Sequence, residues 1–111
     1  MWTSAGVTAG IDLEVLAGLS KRVLGPGCPA RAREYLREWI LGAQASLTAI
    51  ESIRVPVIAA VQGACVGAGV DLIAACDLRY STVDAKFCIK EVDLAVVADV
   101  GTVQRLQPII G

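Results

Sequence analysis

Three stretches of the sequence predict an α/β fold. Residues 31–53, "RAREYLREWILGAQASLTAIESI", repeat apolar positions at helical spacing. Residues 55–63, "VPVIAAVQG", form a short unbroken apolar run, as a strand covered on both faces does. Residues 62–77, "QGACVGAGVDLIAACD", set Gly63, Gly67 and Gly69 ahead of an apolar segment, the pattern of a tight turn that feeds a helix.

In chain order, "GIDLEVLAGLS" (10–20) predicts a short helix capped by Asp12, with Val15, Leu16 and Leu19 on its apolar side. "GPGCP" (25–29) is a break. In the long helix, Leu36, Ile40, Ala43, Leu47 and Ile50 recur at spacings of three and four. Its 23 residues span roughly 34 Å at 1.5 Å per residue. Pro56 forces an extended restart. The buried strand over 55–63 leads through the glycine turn into a helix that runs to about Cys76. "AKFCIK" (85–90) alternates and predicts a short strand, and "VGTVQRLQPIIG" (100–111) a last helix broken near Pro108. The expected order is helix, strand, helix, strand, helix. Two strands make a marginal sheet, so residues 1–111 read as the middle of a larger domain.

Composition narrows the chemistry. At 55% hydrophobic and 19% charged, the 111-residue chain has the makings of one small ordered domain. A net charge of -1 gives no basic footprint for nucleic acid. Histidine is absent, which removes Ser-His-Asp triads, Cys-His pairs and His-containing zinc sites. Acid–base work falls to Asp, Glu, Cys, Tyr or Lys. The four cysteines, Cys28, Cys65, Cys76 and Cys88, form no CxxC pair, and Cys65 and Cys76 read as buried free thiols. No apolar run reaches the ~18 residues of a membrane span, and no secretory-signal pattern is present.

A strand that enters a helix through glycines presents unpaired amides at the positive end of the helix dipole. Such a turn suits a phosphate or the oxyanion of an enolate. "GACVGAG" is neither GxGxxG nor a P-loop, which weakens the phosphate reading; a degenerate dinucleotide loop and plain helix–strand packing stay open. Three acids follow: Asp71 on the helix, then Glu91 and Asp99 in "KEVDLAVVADVG". Each alone is commonly a cap or a surface residue. Together beside an oxyanion turn, one carboxylate can take a proton while another, held protonated, gives one. The natural chemistry is proton movement next to an activated carbonyl, as isomerisation or hydration.

The stretch "PVIAAVQGACVGAGVDLIAACDLRYSTVDAKFCIKEVDLAVVADVGTVQRL", with "TAGIDL" (8–13) before it, resembles the enoyl-CoA hydratase/isomerase (crotonase) superfamily. The resemblance implies a crotonase (ClpP-like) spiral of ββα units, of which residues 1–111 are the central part, without the N-terminal strands and C-terminal helices. It implies an acyl-CoA thioester substrate and assembly as trimers or paired trimers. No metal or redox cofactor is implied, coenzyme A being part of the substrate. The thioester oxygen would sit on the backbone N–H groups of Ile11 and Ala68. Ala9, Gly10, Ile11, Asp12, Leu13 and Ala68 would line the substrate. Asp71, Glu91 and Asp99 together resemble the branch that shifts a 3,5-diene to a 2,4-diene in fatty-acid β-oxidation. There Glu91 would remove a C2 proton, Asp99 would protonate C6 and Asp71 would orient or tune Glu91. The same resemblance points to mitochondria or peroxisomes. Hydration of 2-enoyl-CoA, enoyl-CoA isomerisation, and a non-catalytic subunit that only associates with partner subunits are the alternatives.

Overall fold

The computed structural model describes Thr8 and residues 10–111. Helix α1 (Leu13–Leu24) starts where the Asp12 carboxylate accepts a hydrogen bond from Glu14 N–H at 2.8 Å. This is the predicted cap. Lys21 and Arg22 in its last turn suit the negative end of the dipole. Helix α2 (Pro29–Glu51) begins with proline in its first turn, where the ring fits and no amide is lost. The two helices pack together, with the Arg22 guanidinium 3.8 Å from the centre of the Tyr35 ring.

Strands β1 (Ile58–Val61) and β2 (Ala64–Val66) precede α3 (Ala68–Ala74); β3 (Leu78–Ser81) and β4 (Lys86–Cys88) follow it. A 3-10 helix (Lys90–Leu94) and two short helices, α4 (Thr102–Arg105) and α5 (Gln107–Ile110), complete the order. β1 pairs in parallel with β3, Ile58 opposite Leu78. β2 pairs in parallel with β4, Ala64 opposite Lys86. Two strands, a helix and two more strands laid beside the first pair make one turn of a ββα spiral, the expected α/β architecture.

Alternate peptide groups of a strand face opposite edges, and β2 uses both. Gly67 N–H, just past its end, reaches Cys88 O on the β4 side, while Ala64 O and Val66 N–H bond to Thr8. Thr8 is thereby bridged in parallel to Cys65, opposite β4. The core under this arrangement is Ala59, Val61, Cys65, Val70, Ile73 and Cys76, flanked by Ile50, Ile89 and Leu106.

Several expectations are corrected. The run 55–63 is not one strand covered on both faces: β1 alternates, with Ala59 and Val61 buried and Ile58 and Ala60 exposed. The glycine turn does not lead straight into the helix, because β2 lies between Gly63 and Gly67. β3 is an additional strand, exposed along its length. The last helix does break near Pro108, at Leu106, as expected. Among the described residues, no helix is long and apolar enough to cross a membrane.

Candidate active site

The glycine turn is built for close approach. Gly67 has φ 53°, and a Cβ there would come within 3.2 Å of Glu91 Oε1. A Cβ on Gly69 would collide with the methyl group of Thr8. The segment ending in Ile11 comes to the same place: a Cβ on Gly10 would lie 3.3 Å from Val66 O and 3.9 Å from Gly67 Cα. Ala68 is the first residue of α3, so its N–H has no acceptor within the helix. Neither Ala68 N–H nor Ile11 N–H is bonded among the described residues. The two amides expected at an oxyanion therefore belong to touching segments.

Of the other expected substrate contacts, Asp12 uses its carboxylate as the α1 cap, and Leu13 is exposed. Ala9 lies outside the described residues.

The three acids differ in setting. Asp71, in the first turn of α3, is 1% exposed. Its Oδ1 accepts two hydrogen bonds from Thr102, from N–H at 2.5 Å and from the hydroxyl at 2.7 Å. Glu91 sits in the first turn of the 3-10 helix, half-buried. Its Oε2 is buried and unpartnered among the described residues. Asp99 is half-buried in a turn, with its main-chain oxygen accepting from Gln44 Nε2 at 2.8 Å. Asp71 is thus bonded to Thr102 and the Asp99 main chain to α2, while the Glu91 carboxyl group lies beside Gly67. No hydrogen bond joins one acid to another among the described residues.

Thr102, Gln44 and Arg105 emerge only from the structure. Arg105 donates to Glu51 at 2.9 and 3.0 Å and to Thr48 at 3.0 Å, fastening α4 to α2. A neutral Thr or Gln carries no local pattern, and its partner lies 31 or 55 residues away.

Burial pushes the Cys65 and Cys76 thiols above their ordinary range. Exposed Cys28 is pushed down, chiefly by the Arg31 amide and then that of Ala30, at the start of α2. Among the described residues no three His, Cys, Asp or Glu side chains gather as metal ligands. An apolar cavity of about 460 Å³, between Val61, Ile73, Tyr80, Phe87, Leu106 and Ile110, includes none of the three acids in its lining.

Two main-chain amides unbonded among the described residues stand at touching segments of the turn, with the Glu91 carboxyl group against Gly67 in the same turn. The model of the family described as Enoyl-CoA hydratase/isomerase matches residues 30–111. The chain belongs to that family. It is 55% identical over 103 residues to the peroxisomal Delta(3,5)-Delta(2,4)-dienoyl-CoA isomerase of Arabidopsis thaliana, covering 93% of this chain and 37% of that protein. It is 51% identical over 104 residues to the mitochondrial enzyme of that name from Mus musculus, covering 94% and 32%. The chain thus spans about a third of the length of these curated relatives. A crystal structure from Thermobifida fusca YX, of a protein assigned as an enoyl-CoA hydratase in complex with acetoacetyl-CoA, superposes with a TM-score of 0.74. It is 30% identical, and the match covers 93% of this chain and 40% of that one.

Proposed function

We propose that this chain carries the proton-transfer face of an isomerase that converts 3,5-dienoyl-CoA to 2,4-dienoyl-CoA. The observation that carries the reading is Glu91, with Oε2 buried and unpartnered among the described residues and Oε1 beside Gly67, the residue before Ala68. A carboxylate kept short of partners is costly at rest and available to a carbon acid.

Glu91 removes the C2 proton, and the C–H electron pair spreads through the conjugated system onto the thioester oxygen. The Ile11 and Ala68 N–H groups hold that oxygen. Asp99 gives its proton to C6, forming the new C–H bond and leaving double bonds at C2 and C4. Glu91 then releases its proton and Asp99 regains one, so the cycle closes without net gain or loss. Asp71, one turn along α3 from Gly67, orients Glu91 through the field it sets. The names of the 55% and 51% identical relatives support this reaction, and the acetoacetyl-CoA complex supports an acyl thioester as ligand. The same relatives support a peroxisomal or mitochondrial setting. Assembly as a trimer or paired trimers is part of the same proposal.

The test is 3,5-octadienoyl-CoA, with formation of the 2,4-diene followed by ultraviolet absorbance. Glu91→Gln is expected to lower the rate by about 10²–10⁴-fold. Predominant hydration of a 2-enoyl-CoA would put the hydratase reading in its place. A second reading, a subunit that binds partners without catalysis, draws on the exposed Leu78, Tyr80 and Phe87 of β3 and β4. Retained association with full-length subunits and no turnover would favour it.

A further inference from the structure

The loop that carries Asp99 has little structure of its own. Ala95 is left-handed at φ 54°, and residues 96–98 belong to no helix or strand. Local bonds run from Val96 N–H to Glu91 O and from Val103 N–H to Ala98 O. From outside the loop, Asp99 is held by Gln44, which reaches from α2 to its main-chain oxygen across 55 residues of sequence. Both residues are half-buried. The Gln44 amide holds the backbone of Asp99, whose carboxyl group makes no hydrogen bond among the described residues. α2 is itself fastened to α4, on the far side of Asp99, through Arg105. The root of Asp99 is therefore tied to a long helix through Gln44, and the chain is held again by the Thr102–Asp71 bonds three residues further on.

We infer that Gln44 is a positioning residue that sets where Asp99 delivers its proton. The inference rests on the dienoyl-CoA isomerase reading and deepens it. Once Glu91 has taken the C2 proton, the dienolate has two fates. Return of a proton to C2 remakes the 3,5-diene. Delivery from Asp99 to C6 forms the product. Losing the Gln44 tether displaces Asp99 and slows the second fate alone.

The experiment supplies 3,5-octadienoyl-CoA in deuterated water to the wild type, Gln44→Met, Asp99→Asn and the double variant. Deuterium at C2 of recovered substrate reports Glu91, and the 2,4-diene reports delivery to C6. Gln44→Met is expected to slow product formation on the order of tenfold, the scale of a small misplacement, with C2 exchange changed less than about twofold. In the Asp99→Asn background it should add nothing. Gln44→Asn, one methylene too short for the carbonyl, should show the same split, and it replaces Gln44→Met if that variant loses its helical circular dichroism. Equal loss of both readouts, loss of neither, or multiplied effects in the double variant overturns the inference alone. A wild type that exchanges C2 without forming 2,4-diene, or does neither, overturns the isomerase reading and the inference with it.

Discussion

Thr102 gives both its backbone N–H and its hydroxyl to one oxygen of Asp71, at 2.5 and 2.7 Å. The acid is 1% exposed and Thr102 4%, so neither bond has water to fall back on. A buried carboxyl group left unbonded carries a large desolvation cost, which these two bonds offset.

Removing the hydroxyl should therefore be felt as lost stability. Thr102→Val keeps the N–H bond and nearly the same volume but leaves Asp71 one donor short. We expect a cost of about 1–3 kcal/mol, the penalty for stranding a buried acceptor. Thr102→Ser restores the donor and should recover most of it. Urea melts followed by circular dichroism would measure both, and a Thr102→Val chain as stable as the wild type would show that the hydroxyl bond adds nothing.

Gly67 answers a different demand. Its φ of 53° and the Glu91 oxygen 3.2 Å from where a Cβ would stand both argue against a side chain. Gly67→Ala should cost about 1–3 kcal/mol from backbone strain and also push Glu91 away from the turn. Turnover should fall further than the stability loss explains. Unchanged turnover by a folded Gly67→Ala chain would separate Glu91 from the turn and remove the main support for its role as base.

What the sequence could tell depended on how local the signal was. The Asp12 cap, the period of α2 and the α/β order are written in neighbouring residues, and they were legible. β2 was not, because three residues between two glycines have no period to read. β3 carries no local signal either, because "LRYS" has no buried face and its place comes from pairing with β1, 20 residues earlier. The same limit applies at the site. Asp71 and Asp99 stand out as acids among apolar neighbours and Glu91 by its place between the strand and Asp99, whereas Thr102 and Gln44 gain meaning only once the spiral brings α4 and α2 to them.

The thiols make a last prediction, on pH. Cys65 and Cys76 are buried and free, and burial favours their neutral form. Their values in the folded protein are raised above the ordinary 9.0. The folded state therefore holds these protons more tightly than the unfolded chain does. That contribution to stability is complete below 9.0 and is lost as pH climbs through the raised values. Lys90, raised chiefly by its hydrogen bond to Asp93, works in the same direction above 10.5 but is exposed and weighs little. Cys28 is shifted downward and so works in the opposite sense, but it is fully exposed and weighs little. Urea midpoints taken under reducing conditions should decline as pH rises above 9.0. In a Cys65→Ala, Cys76→Ala chain the decline should be smaller. An equal decline in both chains would assign alkaline instability to other groups.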